Sequence, residues 1–177
     1  MTNNKHTVRI NSKLSARNQK ILKIIHLVSV IVWVGAAIVM NGIRHLVAIS
    51  DNAGIYYMAK FLEAVDMQIL VPGAILCLCT GLLYSLFTQW GFFKYRWIVV
   101  KWGLTIAMIA LGTFIMGPLI EENVEMGQAL MRGGSNILVE AYWQNVTTSE
   151  KWGLLQICLL TFTVIISVFK PWKKQKK

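Results

Sequence analysis

Acidic residues are scarce in this chain, eight against eighteen lysines and arginines, and none of them falls where the sequence is most apolar. Four runs of about 20 apolar residues, near 21–43, 69–89, 97–119 and 152–170, contain no carboxylate. That excludes a proton relay of the usual carboxylate kind inside them. Cysteine is also rare. Cys77, Cys79 and Cys158 all lie within the runs, so no disulfide framework is implied and the thiols count as small apolar groups. A glycine-rich phosphate loop, zinc-ligand spacing, an internal repeat and a low-complexity linker are all missing, which removes the common motif-borne chemistries.

What the chain does have is oil and positive charge. Of its 177 residues 55% are hydrophobic, the mean hydropathy is +0.53, and the formal net charge at pH 7 is +10. Each apolar run can cross a hydrocarbon core about 30 Å thick. The expected fold is all-α, a transmembrane antiparallel four-helix bundle forming one domain over 21–172. It is flanked by basic tails at 1–20 and 173–177.

Charge sets the expected orientation, because lysine and arginine collect on the cytoplasmic side of short loops. Lys5, Arg9, Lys13, Arg17 and Lys20 precede the first run, Lys94 and Arg96 separate the second from the third, and five lysines close the chain. All eight acids occupy the other two links, so both termini are expected in the cytoplasm. The basic residues flank spans and do not form a folded face with interleaved aromatics, which points to anionic lipid heads and not to nucleic acid. The first run exceeds the usual length of a signal-peptide core and lacks a clear cleavage site, so it reads as a permanent anchor.

The two outer links keep a helical pattern. Tyr57, Phe61 and Val65 recur at spacing four and predict an amphipathic piece lying at the membrane surface. The acidic stretch after Pro118 is expected to prolong the third helix until Gly133-Gly134 stops it. Thr147 and Glu150 have capping-box spacing, which predicts the start of the fourth helix there. Asn145-Val-Thr147 overlaps that cap and reads as a chance glycosylation sequon.

At about 100° per residue, each helix shows one face that lipid would not favour. The first carries Lys23, His26, Ser29 and Trp33; the second Gly73, Cys77, Thr80, Tyr84 and Thr88; the third Lys101, Thr105, Met108 and Gly112. The fourth has Gln156, Thr163 and Ser167. His26 and Lys101 each sit about one and a half turns in from the cytoplasmic side, so they share a depth. A lysine can snorkel from there and an imidazole can donate to a carbonyl, but both at one level open a chemical reading. A neutral imidazole ligates haem iron, and a lysine ligates when deprotonated or neutralises a propionate. Haem b is the expected cofactor, with His26 as the metal ligand.

Other donors are less suited. His45 stands 19 residues from His26, roughly 28 Å along a helix, and cannot share its iron; it reads as an interfacial anchor beside Arg44. His6 reads as solvated. Copper draws on eight methionines and three cysteines, but Cys77 and Cys79 point about 200° apart on a helix and the methionines do not cluster.

The run Lys23-x-x-His26-x-x-Ser29-x-x-x-Trp33-x-Gly35, Pro72 ahead of Thr80-Gly81, and Trp97-x-x-x-Lys101 resemble the small four-helix membrane proteins of the CopD and HemJ-type protoporphyrinogen oxidase superfamily. The stretch TGLLYSLFTQWGFFKYRWIVVKW is closer to a bacterial branch of that group with no assigned function. The resemblance covers three spans by motif and the fourth by hydropathy. It implies a bacterial cytoplasmic membrane protein, b-haem on His26, and Lys101 as second ligand or substrate contact in a catalytic role. Ser29, Trp33 and Thr80 would line the same cofactor site. A tetrapyrrole or other small molecule is the implied substrate. The longer outer link between spans three and four departs from that pattern, and CopD-type relatives imply copper or haem transport as the alternative. A structural bundle serving another membrane protein, or a second copy of itself, is the third.

Overall fold

The structure is a computed structural model that describes residues 14–88 and 91–171. It holds four long helices: α1 (Ala16–Leu46), α2 (Asn52–Phe87), α3 (Arg96–Met131) and α4 (Asn136–Phe169). All four are long and apolar enough to cross a bilayer, and the described residues contain no strand. The tail charges at Lys5, Arg9, Lys13 and 173–177, together with His6, lie outside the described residues.

Local chemistry fixes the ends. Ser15 accepts the Asn18 amide (3.3 Å) at the start of α1, and Asp51 accepts the Gly54 amide (2.9 Å) at the start of α2, each meeting an otherwise orphaned donor. Arg44 and His45 close α1, where cations complement the exposed carbonyls. Gly133 takes φ 95°, which lets the Gly134 amide turn back to the Ala129 carbonyl (3.1 Å) and end α3 as expected. The Leu14 amide bonds the Phe87 carbonyl (3.1 Å), placing the start of α1 beside the end of α2. That end of the bundle is called proximal below and the other distal.

The helices are longer than the apolar runs, because the distal links fold as their extensions. The first helix begins at Ala16, inside the segment expected to be tail. The fourth begins at Asn136, and the predicted Thr147 cap is mid-helix, its hydroxyl donating to the Trp143 carbonyl (2.9 Å). The predicted surface piece is the distal part of α2, packed against the distal part of α3. Its buried side is Ile55, Met58, Ala59, Leu62 and Val65. Tyr57 (64% exposed) and Phe61 (47%) face outward, so the spacing-four row marked an outer edge, with Val65 alone on the packed face. Since α1 stops at Leu46, three helices carry on distally as a cap.

The core is layered. Proximally, Trp33, Ala37, Ala74, Cys77, Met108 and Leu160 pack together. Next come Ala36, Met40, Met58, Leu62, Val65 and Ile120. The cap holds Ile55, Ala59, Leu130, Tyr142 and Val146. Close backbone approach at Gly127, where an added Cβ would lie 2.9 Å from Tyr56 Cα, joins α2 to α3 there.

Both α2 and α3 contain one wide π turn, Asp66–Leu70 and Gly112–Met116. In each the amide that closes it reaches five residues back, Val71 to Asp66 and Gly117 to Gly112, and the next residue is proline, Pro72 or Pro118. A proline ring presses on the carbonyl four residues earlier and offers no N–H, and the wider turn accommodates both. It also realigns the buried faces. From Val65 to Gly73 is eight residues, about 80° out of phase in a plain α-helix. Counting the bulge as one inserted residue brings the step to within about 20°. The twelve residues from Met108 to Ile120 are about 120° out and fall within about 20° by the same count.

Candidate functional site

The inward faces read from the sequence are largely those that the fold buries. Ser29 and Trp33 of α1, Gly73, Cys77 and Thr80 of α2, Met108 of α3 and Gln156 of α4 are buried, whereas Lys23 is exposed. His26 and Lys101 are both partly buried.

His26 Nδ1 lies 2.9 Å from Thr80 Oγ1. The Thr80 hydroxyl, itself 3% exposed, has one proton, and that proton goes to the Leu76 carbonyl at 2.7 Å, with the Cys77 carbonyl at 3.1 Å. With that proton on the carbonyl, Thr80 accepts from the histidine, and the tautomer that matches carries its proton on Nδ1. Nε2 is left with a free lone pair. A ligating histidine is held in just this way, its far nitrogen donating to a neighbour that fixes ring and tautomer. Gly81 leaves room for the ring, since a Cβ there would already touch His26 Cε1 at 3.6 Å.

Lys101 enters from α3. Its ammonium stands within electrostatic reach of both the His26 ring and the Cys77 thiol. Among the described residues it makes no hydrogen bond or ion pair. The proximal halves of α2 and α3 scarcely approach each other, and α3 leans there on α4. An apolar groove of about 300 Å³, lined by Leu22, Ile25, Leu83 and Phe87 among others, opens one turn from His26.

The remaining site candidates separate. Ser29 (1% exposed) donates to the Ile25 carbonyl (2.7 Å), so its proton is committed to its own helix. Trp33 (2% exposed) belongs to the proximal core, and its Nε1 has no acceptor. Thr80 acts behind His26, not beside it. His45 is 71% exposed and 3.9 Å from a Glu150 oxygen, in keeping with an anchor at the surface. Cys77 is buried while Cys79 and Cys158 are exposed, so the thiols do not converge.

The residues that could contribute to a cofactor site are thus the His26 imidazole, the Lys101 ammonium and the orphaned buried indole N–H of Trp33. No group of three or more His, Cys, Asp or Glu side chains stands together among the described residues. Missed by the sequence reading were the orphaned Trp33 donor and a polar layer at Arg44, Asn123 and Ser149. Placing the start of the fourth helix at 147 hid the buried row 142, 146, 149, 153, 156 and 160, whose alternating steps of four and three would have exposed it. Comparison with protein-family models, curated proteins and solved structures finds no match to this chain.

Proposed function

We propose that the chain is a b-haem-binding protein of a bacterial cytoplasmic membrane, an antiparallel bundle with both termini in the cytoplasm, acting in redox or tetrapyrrole chemistry. The observation that supports this reading is the chain of contacts from the Leu76 carbonyl through Thr80 to His26 Nδ1, which suits the tautomer with a free Nε2. A bound haem would supply one-electron redox chemistry. His26 would hold its iron, and Thr80 keeps the ring in the ligating tautomer. Lys101 would serve as second ligand or meet a carboxylate of the haem or of a tetrapyrrole substrate. Trp33 offers a further N–H from the core, and Ser29 packs α1 against its neighbours.

The test is a preparation purified in detergent, with visible spectra recorded oxidised and reduced and metals measured on the same sample. A Soret band that shifts on reduction and is absent from His26→Ala is the expected result. Stoichiometric copper without porphyrin would replace this reading with copper handling. A colourless protein that also fails to take up added haemin would leave a structural bundle.

A further inference from the structure

The proximal site does not exhaust the buried polar groups. Where the cap begins, about 27 Å along α1 from His26, several side chains have buried polar atoms without partners among the described residues. Arg44 sends Nη1 to the Val146 carbonyl at 3.3 Å, but its Nε is buried with no acceptor. Asn123 is 3% exposed and neither its amide nitrogen nor its amide oxygen is bonded. Ser149 is 4% exposed and its hydroxyl is likewise unpartnered.

Counted by helical rise, these groups fall at one level between two apolar layers. On α3, Asn123 lies one turn from Ile120 in the layer below and two turns from Leu130 in the cap. On α1, Arg44 lies one turn beyond Met40 and reaches Val146 of the cap. On α4, Ser149 lies between Val146 and Gly153, and Gly153 packs directly on the Asn41 side chain. Ser149 also departs from its own helix. Thr147, Thr148, Thr161, Thr163 and Ser167 each donate to the carbonyl one turn back, and Ser149 does not.

A buried guanidinium N–H, an amide and a hydroxyl without partners are costly, each by about 1–3 kcal/mol and more for the charged one. The helical backbone does not satisfy them here. We infer that this layer binds a singly charged oxyanion, a carboxylate or a phosphodiester, against Arg44, Asn123 and Ser149. One guanidinium balances one negative charge, while the amide and hydroxyl supply neutral donors. Glu150 is within electrostatic reach of Arg44 but forms no ion pair with it, so the charge is not already matched inside the layer. Glu121, Glu125 and Glu140 at this end are exposed and screened by salt, and they weigh against a dianion more than a monoanion. The site is independent of any haem.

The experiment uses the full chain purified in a maltoside detergent, with thermal unfolding followed by tryptophan fluorescence. Sodium acetate is titrated against sodium chloride at matched ionic strength, and dihexanoyl-phosphatidylglycerol is titrated separately below its micellar concentration. The expected result is a saturable rise of several degrees in one or both arms, lost in Asn123→Leu. Acetate alone points to a soluble carboxylate and the lipid alone to a head group. A wild-type response to both no greater than that to chloride overturns the proposal and leaves a hydrated layer. So does an undiminished response in Asn123→Leu. If that variant does not fold, Ser149→Ala replaces it with the same readout and a weakened response expected.

Discussion

At the scale of single residues, the pair of Thr80 and His26 turns a common helix habit into a chemical device. A threonine hydroxyl bonding back to its own helix is usually unremarked, but here its free lone pair faces the neighbouring imidazole and favours that ring as the donor. Thr80→Val keeps the shape and removes the acceptor. Haem affinity should fall by about 10–100-fold, the range for losing an outer partner of a ligating histidine, measured by haemin titration at the Soret band. Lys101→Met should shift the redox midpoint downward by tens of millivolts, because a nearby cation favours the state with one more electron. Spectroelectrochemical titration reads it directly, and an unchanged midpoint with full haem occupancy would remove Lys101 from the site.

At the scale of helices, the glycines separate packing from coincidence. At Gly127 a Cβ would meet the backbone of Tyr56 at 2.9 Å, and backbone cannot yield as a side chain can. Gly127→Ala should cost about 1–3 kcal/mol as α2 and α3 are pushed apart. Gly35 has nothing within 4 Å of an added Cβ. Gly35→Ala should be neutral or stabilising by up to about 1 kcal/mol through helix propensity. Detergent unfolding of both variants checks the contrast. Hydropathy announced the four helices but not their lengths, because the distal extensions carry charged residues and owe their burial to one another. The inward stripes at Cys77, Thr80 and Met108 were legible from periodicity. The orphaned Trp33, Arg44, Asn123 and Ser149 were not, since lack of a partner is a property of three-dimensional neighbours.

For the molecule as a whole, the segregation of charge predicts its placement in the membrane. Single cysteines introduced as Arg132→Cys and Lys94→Cys in a cysteine-free chain should differ in access. A membrane-impermeant thiol reagent added to intact cells should label the first, and added to inverted vesicles should label the second. The opposite pattern would reverse the assigned sidedness. The fold separates its two polar centres by most of one helix, with two apolar layers between them, so the His26→Ala and Asn123→Leu substitutions should act independently.

The wide turns of α2 and α3 carry a spare residue each, and this gives the two helices a tolerance to shortening that α1 and α4 lack. Deleting Met67 together with Pro72→Ala should convert the turn to ordinary α-helix with the Val65 and Gly73 faces still in phase, whereas the same deletion with the proline retained should be markedly worse. An equal deletion at Leu76 would swing His26's partner Thr80 off its face by about a quarter turn. Length variation in this molecule is thus confined to two places, each guarded by a proline.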